Sequence, residues 1–422
     1  MRRWAVLAAA ALVLVAIPLS AQISAYASLS AGTHSDPLYN YLQQPDRLLQ
    51  HYLDLSYDAD LGDGTMSVHY AGGSTFFSRF AARSYYEHRL QAVMVVPQEI
   101  PENDEGVPAP VVENNAWTLT AAMAGRFDKK EFREFDNTGI IGTVERVIPF
   151  TTVSSLRFSN MLEYRTFPSL RSFTNSVEIA TVEWQFGTPA EGQIGFTVSG
   201  GWKYYPKMRY DTALFEPVRS YIVSMVLDSE QTGSGKQKQW VYYTYPDTNA
   251  SEKFVLKDPK TRSAYQAATG VFWRKEGEGW SVRTGLTYRV NDHSGLLTMV
   301  QNTSDRTLNE DLYNTEFSAQ GPELHVDMHW TMSADIRCDA ALLVEHKVFE
   351  TPSFDLATGE ISAPSRTDDR LGLELTAARS FPLSSSLGMD VTVNAAMLRN
   401  RSNDAYNDFS FSTISVIVGV GW

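Results

Sequence analysis

His325-Val326-Asp327-Met328-His329 sets two imidazoles and a carboxylate at alternate positions of one short stretch. Such groups can bind a metal, move protons or pair with other charges, and their spacing decides among these. On a strand, alternate residues stand ~6 to 7 Å apart on one face, too far for all three to hold a single ion. A neighbouring strand could complete a site, and Asp339 and Glu345 fall on the matching face of the next one. A ladder of polar side chains facing water explains the pattern without an ion, so no metal is expected. Asp292-His293-Ser294 holds the three residue types of a hydrolytic triad. Consecutive side chains diverge, however, and rarely meet in the geometry that proton transfer needs. The other histidines, at 34, 51, 69, 88 and 346, are scattered and no nucleophile motif accompanies them. Neither an enzyme nor a cofactor is expected. The segment from 98 to 115 carries Glu99, Glu102, Asp104, Glu105 and Glu113 with no base, but it lacks the ligand spacing and turn glycine of a calcium loop.

The elements that must carry these groups alternate with period two, as strands do. Gln193 to Tyr204 puts Ile194, Phe196, Val198, Trp202 and Tyr204 on one face, against Gln193, Thr197, Ser199 and Lys203. Trp280 to Asn291 divides Trp280, Val282, Leu286, Tyr288 and Val290 from Ser281, Arg283, Thr287, Arg289 and Asn291. Leu324 to Met332 sets Leu324, Val326, Met328, Trp330 and Met332 against His325, Asp327, His329 and Thr331, and Ser385 to Met397 repeats the division. Two stretches fit less well. Phe173 to Phe186 carries Glu178 on one face and Glu183 on the other, which implies a bulge or phase slip, and Gln239 to Tyr245 has aromatics on both faces.

Composition narrows the class. The 422 residues carry a formal charge of −13, which disfavours nucleic acid as a partner, and Cys338 is the single cysteine, so no internal disulfide forms. Met1-Arg2-Arg3 followed by an apolar run to Leu19 and small residues to Ala21 reads as a cleaved signal peptide over 1–21. Its removal takes the charge to −15. Residues 22–422 contain no helical span of ~20 apolar residues and no Pro- or Ser-rich linker, so one large β domain is expected.

Short polar turns such as Glu276-Gly277-Glu278-Gly279 largely alternate with long connections at 32–47, 205–217, 291–321, 350–368 and 399–408. That is the pattern of a transmembrane barrel, with tight turns on one rim and extended loops on the other. The expected fold is all-β, a single antiparallel transmembrane β-barrel of about 18 strands, within a range of 14–18. The strands exceed the usual ~5 or 6 residues, and aromatics crowd the ends of the apolar faces at Trp202, Tyr204, Trp280, Trp330 and Trp422. The acidic 98–115 segment is the exception. It is long yet falls on the short-turn side, so either it is an unusual periplasmic loop or the early strand count is off by one.

The chain stops on an alternating strand, Ile414-x-Val416-x-Val418-x-Val420-x-Trp422. This resembles the C-terminal signature of bacterial outer-membrane β-barrel proteins, porin-like in kind. The resemblance implies that Ile414, Val416, Val418, Val420 and Trp422 form the signal read by the barrel-assembly machinery. It implies outer-membrane lipid and lipopolysaccharide as surroundings. Residues 34–41, H-S-D-P-L-Y-N-Y, are similar to a stretch in uncharacterised barrel proteins of Bacteroidetes-like bacteria.

With lipid on the apolar faces, the lumen receives Glu87, Arg89, Arg157, Glu163, Arg165, Arg283, Arg289, His325, Asp327, His329, Arg337, Asp339, Glu345, Arg370, Glu374 and Asp390. These charges either line an aqueous path or pair with one another in a closed or loop-filled lumen. The first case describes a passive channel for small hydrophilic solutes. The second describes a structural, adhesive or secretion-partner barrel without an open pore. The oligomeric state is left open by the sequence.

Overall fold

The computed structural model describes residues 22–36, 45–62, 64–97, 115–151, 154–169, 171–188, 190–206, 225–232, 239–246, 253–256, 263–292, 297–300, 317, 319–333, 336–355, 360–404 and 407–422. The strands are β1 (Gln22–His34), β2 (Asp46–Asp60), β3 (Thr65–Phe77), β4 (Tyr85–Pro97), β5 (Ala116–Asp128), β6 (Asn137–Thr151), β7 (Ser154–Thr166), β8 (Asn175–Phe186) and β9 (Gln193–Tyr204). There follow β10 (Met225–Thr232), β11 (Gln239–Pro246), β12 (Lys253–Leu256), β13 (Ser263–Gly277), β14 (Trp280–Asp292), β15 (Leu297–Val300) and β16 (Gly321–Ser333). The last four are β17 (Ile336–Asp355), β18 (Glu360–Pro382), β19 (Gly388–Ser402) and β20 (Phe409–Gly421).

Sixteen of these close into one antiparallel barrel, in the order β1 to β9, β13, β14, β16, β17, β18, β19 and β20. The remaining four pair off as β10–β11 and β12–β15, outside the ring. Sixteen lies within the expected range of 14–18, two below its preferred figure of about 18. The β10–β11 pair was counted into the wall because it too is strand-like.

The parity of the ring resolves the acidic segment. Gln22, Trp422, the two-residue Glu278-Gly279 turn and the ends of β4 and β5 that 98–115 joins all fall on one rim, called here the turn rim. The strand count in that region is sound, and the long acidic connection belongs to the short-turn side; residues 98–114 lie outside the described residues, as do 1–21. Gly279 takes φ 74°, which lets the β13–β14 reversal close tightly while its carbonyl accepts the Thr331 N–H at 2.6 Å.

On the opposite, loop rim the expected loop 350–368 is largely strand. β17 and β18 run to 20 and 23 residues and continue as a hairpin, pairing Phe354 with Ile361 after a register shift near Val348 and Pro352.

Facing pairs share a face, so the register around the ring sorts every strand. One face carries Ile140, Leu162, Val198, Leu286 and Ile414, each at least half exposed. That is the face that membrane hydrocarbon would cover. At the turn rim it carries the directly paired Trp280 and Trp330. Basic side chains lie over aromatic ones at the same level, Arg146 at 5.3 Å from Trp117 and Arg379 at 4.9 Å from Phe381. This aromatic and cationic belt suits a membrane interface.

Among the described residues, the largest fully buried side chains lie at the loop rim. Phe135, Phe167, Phe173, Tyr205 and Phe317 are fully buried there. Phe317 packs against Val177 of β8 and Ala264 of β13, both on inward faces, so its ring reaches into the mouth of the lumen. Burying one such ring stabilises by about 1.5–3 kcal/mol.

Candidate functional site

All sixteen charged or imidazole positions named from the sequence share the inward face by register. On β4, Glu87 and Arg89 stand opposite Arg126 and Ala124 of β5. Arg157, Glu163 and Arg165 line β7, Arg283 and Arg289 line β14, and His325, Asp327 and His329 line β16. Arg337, Asp339 and Glu345 lie on β17, Arg370 and Glu374 on β18, and Asp390 on β19.

The side chains form two belts. In the belt near the loop rim, charges are paired and largely buried. Arg126 grips Asp128 by two bonds of 2.8 and 2.9 Å, with Arg83 joining from the β3–β4 connection at 3.2 Å and the Tyr85 ring 3.9 Å below the Arg126 guanidinium. Glu163 takes Arg165 at 2.6 Å, Glu345 takes Lys347 at 2.9 Å and Arg370 at 3.9 Å, and Arg289 lies 3.9 Å from Glu323. Asp368 collects Arg366, Asn400 and Ser402. Lys203 is wholly buried among these, with its Nζ 5.4 Å from the Tyr205 ring and 5.9 Å from Phe317.

The belt nearer the turn rim is more open. Arg157 meets Glu145 at 2.8 Å, and Arg283 reaches over Phe272, 4.6 Å from its centre, to within 3.9 Å of Glu183 two strands further on. One laterally paired row runs Arg274, Arg283, Asp327, Ala341, Glu374 across β13, β14, β16, β17 and β18. With His329, Asp339 and Thr376 it lines a recess of about 220 Å³. Among the described residues, Glu374 and Arg89 have no ion-pair partner. Asp390 accepts a bond from Ser380.

The His–Asp–His stretch splits. His325 pairs with Asp327 at 3.1 Å, whereas His329 turns to Asp339 at 2.6 Å, which Arg337 also approaches at 3.6 Å. The two imidazoles therefore address different carboxylates, and Glu345 is engaged with Lys347 and Arg370 instead. Of the triad-like residues, only Asp292 is described; His293 and Ser294 lie outside the described residues.

The terminal strand closes the ring. Ile414, Val416, Val418 and Val420 face outward opposite Thr33, Ala31, Leu29 and Ala27 of β1. Trp422 is exposed at the turn rim, and its backbone exchanges bonds of 2.9 and 3.0 Å with Ala25.

Several lumen residues escaped the sequence reading. Glu183 was obscured by the supposed slip in its strand, yet β8 pairs with β7 and β9 without any register shift, so the expected bulge is absent. The loop-rim belt had a readable signal: Arg133-Glu134-Phe135-Asp136-Asn137-Thr138 and Arg171-Ser172-Phe173-Thr174-Asn175-Ser176 repeat one pattern. In both, the phenylalanine is buried and its carbonyl accepts the asparagine amide, at 2.9 and 2.8 Å.

A closed sixteen-strand ring with an apolar exterior and a charged interior is a porin-like transmembrane β-barrel. No family model matches the chain, and no curated protein matches it. Among solved structures it is similar to Pseudomonas aeruginosa OpdK with vanillate, at 10% identity and a TM-score of 0.40 over 94% of this chain and 99% of that one. It is also similar to P. aeruginosa OccK2 (OpdF) in complex with glucuronate, at 10% identity and 0.38 over 95% and 98%. A third, Acinetobacter baumannii OccAB2, aligns at 6% identity and 0.41 over 96% and 98%. Likeness at this level adds nothing to what the strand pairing shows. The narrower resemblance of residues 34–41 to Bacteroidetes-like barrels gains no support from these matches.

Proposed function

We infer that the chain is an outer-membrane barrel of a Gram-negative bacterium and a passive channel for small hydrophilic solutes. One observation carries this reading: a ring of sixteen strands, the size at which barrels enclose water, whose inward belt exposes charges of both signs around an open recess. The belt at the loop rim is paired and largely buried, which suits a mouth. The belt below it, with Arg283, Asp327, His329 and Glu374, is placed to meet a solute in transit.

A second reading, a barrel without an open pore serving a structural, adhesive or secretion role, draws on Phe317, which narrows the mouth from within. Planar bilayers separate the two. Purified protein giving discrete conductance steps supports the channel, and a closed baseline across voltages and salts overturns it. Envelope fractionation and heat-modifiable migration in detergent gels test the membrane placement itself.

A further inference from the structure

Glu178 and Asn160 face the wrong way for a barrel in lipid. β8 keeps its phase, so Glu178 lies on the outward face, paired laterally with Leu162 and Trp202. Asn160 of β7 lies outward beside it, opposite Val144 and Ala180, and donates its amide to the Glu178 carboxyl at 3.1 Å. Glu178 is level with Trp202 and one pair below Tyr164, at the loop-rim edge of the apolar band, and Asn160 lies one pair deeper within it. The other outward-facing acids of the barrel among the described residues, Asp292 and Asp369, stand at the loop rim.

Lipid tails offer such groups no hydrogen-bond partner, and ionisable residues in the hydrocarbon region are costly unless protein covers them. The Asn160–Glu178 bond occupies one of two amide hydrogens and one of two carboxyl oxygens. The rest must be served from outside. The surface around the pair is depressed: Ala121 and Gly142 form a low floor beside Met66, Met94 and Leu162, leaving a recess of about 470 Å³ open to the exterior. A β-carbon at Gly142 would meet nothing within 4 Å.

We propose that this outward face of β4 to β8 is where a second copy of this chain docks. A two-fold arrangement sets the free amide hydrogen of Asn160 in each copy against the free carboxyl oxygen of Glu178 in the other, so the patch is complementary to itself. An acyl chain would fill the depression but leave both groups unserved. A lipid headgroup at the level of Trp202 would meet Glu178 and leave the Asn160 amide, one pair deeper, unserved. The small residues let the two walls approach closely enough for the bonds to form. The inference rests on the membrane reading, and the two fail separately, because fractionation reports membrane placement whether or not copies associate.

The test uses the full chain in its own envelope, with Cys338→Ser removing the native thiol. Ala180→Cys, outward and beside Asn160, is compared with Val393→Cys, outward on β19 seven strands around the ring. A short thiol cross-linker should give a species of twice the monomer mass at position 180 and not at 393. Adding Glu178→Leu and Asn160→Leu should cut that yield by about tenfold, the scale of losing membrane-embedded hydrogen bonds, while heat-modifiable migration confirms a folded barrel. Equal yields at 180 and 393, an unchanged yield in the Leu variants, a cross-link to a different polypeptide, or folded monomer holding only lipid would each overturn the proposal.

Discussion

Phe272 lies across Gly195 on the lumen wall, so that a β-carbon at 195 would overlap its ring. The two face each other on adjacent strands, and the ring carries the Arg283 guanidinium 4.6 Å from its centre. Gly195 is therefore the floor on which Phe272 and Arg283 are set. Gly195→Val should lift both and destabilise the folded barrel by about 1–3 kcal/mol, the usual cost of overpacking. The measurement is the temperature at which compact gel migration is lost. Phe272→Ala in the same chain should restore most of it, since the two changes act through one contact.

Arg283 is half exposed to the lumen, whereas Arg289 is 20% exposed beside Glu323. Charge reversal by Arg283→Glu should shift the reversal potential in a salt gradient towards cation preference, and Arg289→Glu should shift it less. Absent shifts would assign both arginines to structural pairing, and equal shifts would place both on the conducting path.

Asp128 is fully buried between Arg83 and Arg126. Asp128→Asn leaves two guanidinium groups facing a neutral amide in a dry site, at a cost of about 3–5 kcal/mol. Unfolding by denaturant in micelles should show that loss. Arg157→Gln, which breaks a half-exposed pair with Glu145, should cost under about 1 kcal/mol.

Asp136 precedes β6 in the loop-rim connection, where burial and the neighbouring Asp128 raise its carboxyl above the ordinary range, against the Asp128 N–H that it accepts. A raised folded value means that its contribution to stability is fully present below the unfolded value, about 4, and lost as pH rises through the folded one. Protection of this connection from protease should therefore fall across the weakly acidic range, and Asp136→Asn should flatten that dependence.

Trp422 joins the seam through its backbone, while its side chain is exposed. Trp422→Ala should leave a barrel that folds in detergent yet assembles poorly in cells, if the side chain is part of an assembly signal. Deleting Trp422 removes both seam bonds to Ala25 and should also lower stability in detergent. Normal assembly of Trp422→Ala would remove that residue from the signal.

Alternation alone placed Arg283, Asp327, Glu345 and Glu374 on one face, because successive strand residues must point to opposite sides of a pleated sheet. It failed at Glu178, where the pattern looked like a slip because an acid on the lipid face contradicts the rule by which faces are read. It also failed at β10 and β11, whose strand character says nothing about which neighbour they pair with.

The sequence by itself determined the class of fold, the two-faced strands and the apolar closing strand, since these follow from local periodicity. Only the tertiary structure decided the number of strands in the ring and the rim on which the acidic connection lies. It alone decided which charges meet, as Arg283 does with Glu183 and His329 with Asp339. Those contacts join residues on different strands, and their meeting depends on register and on closure of the ring, which no local pattern encodes.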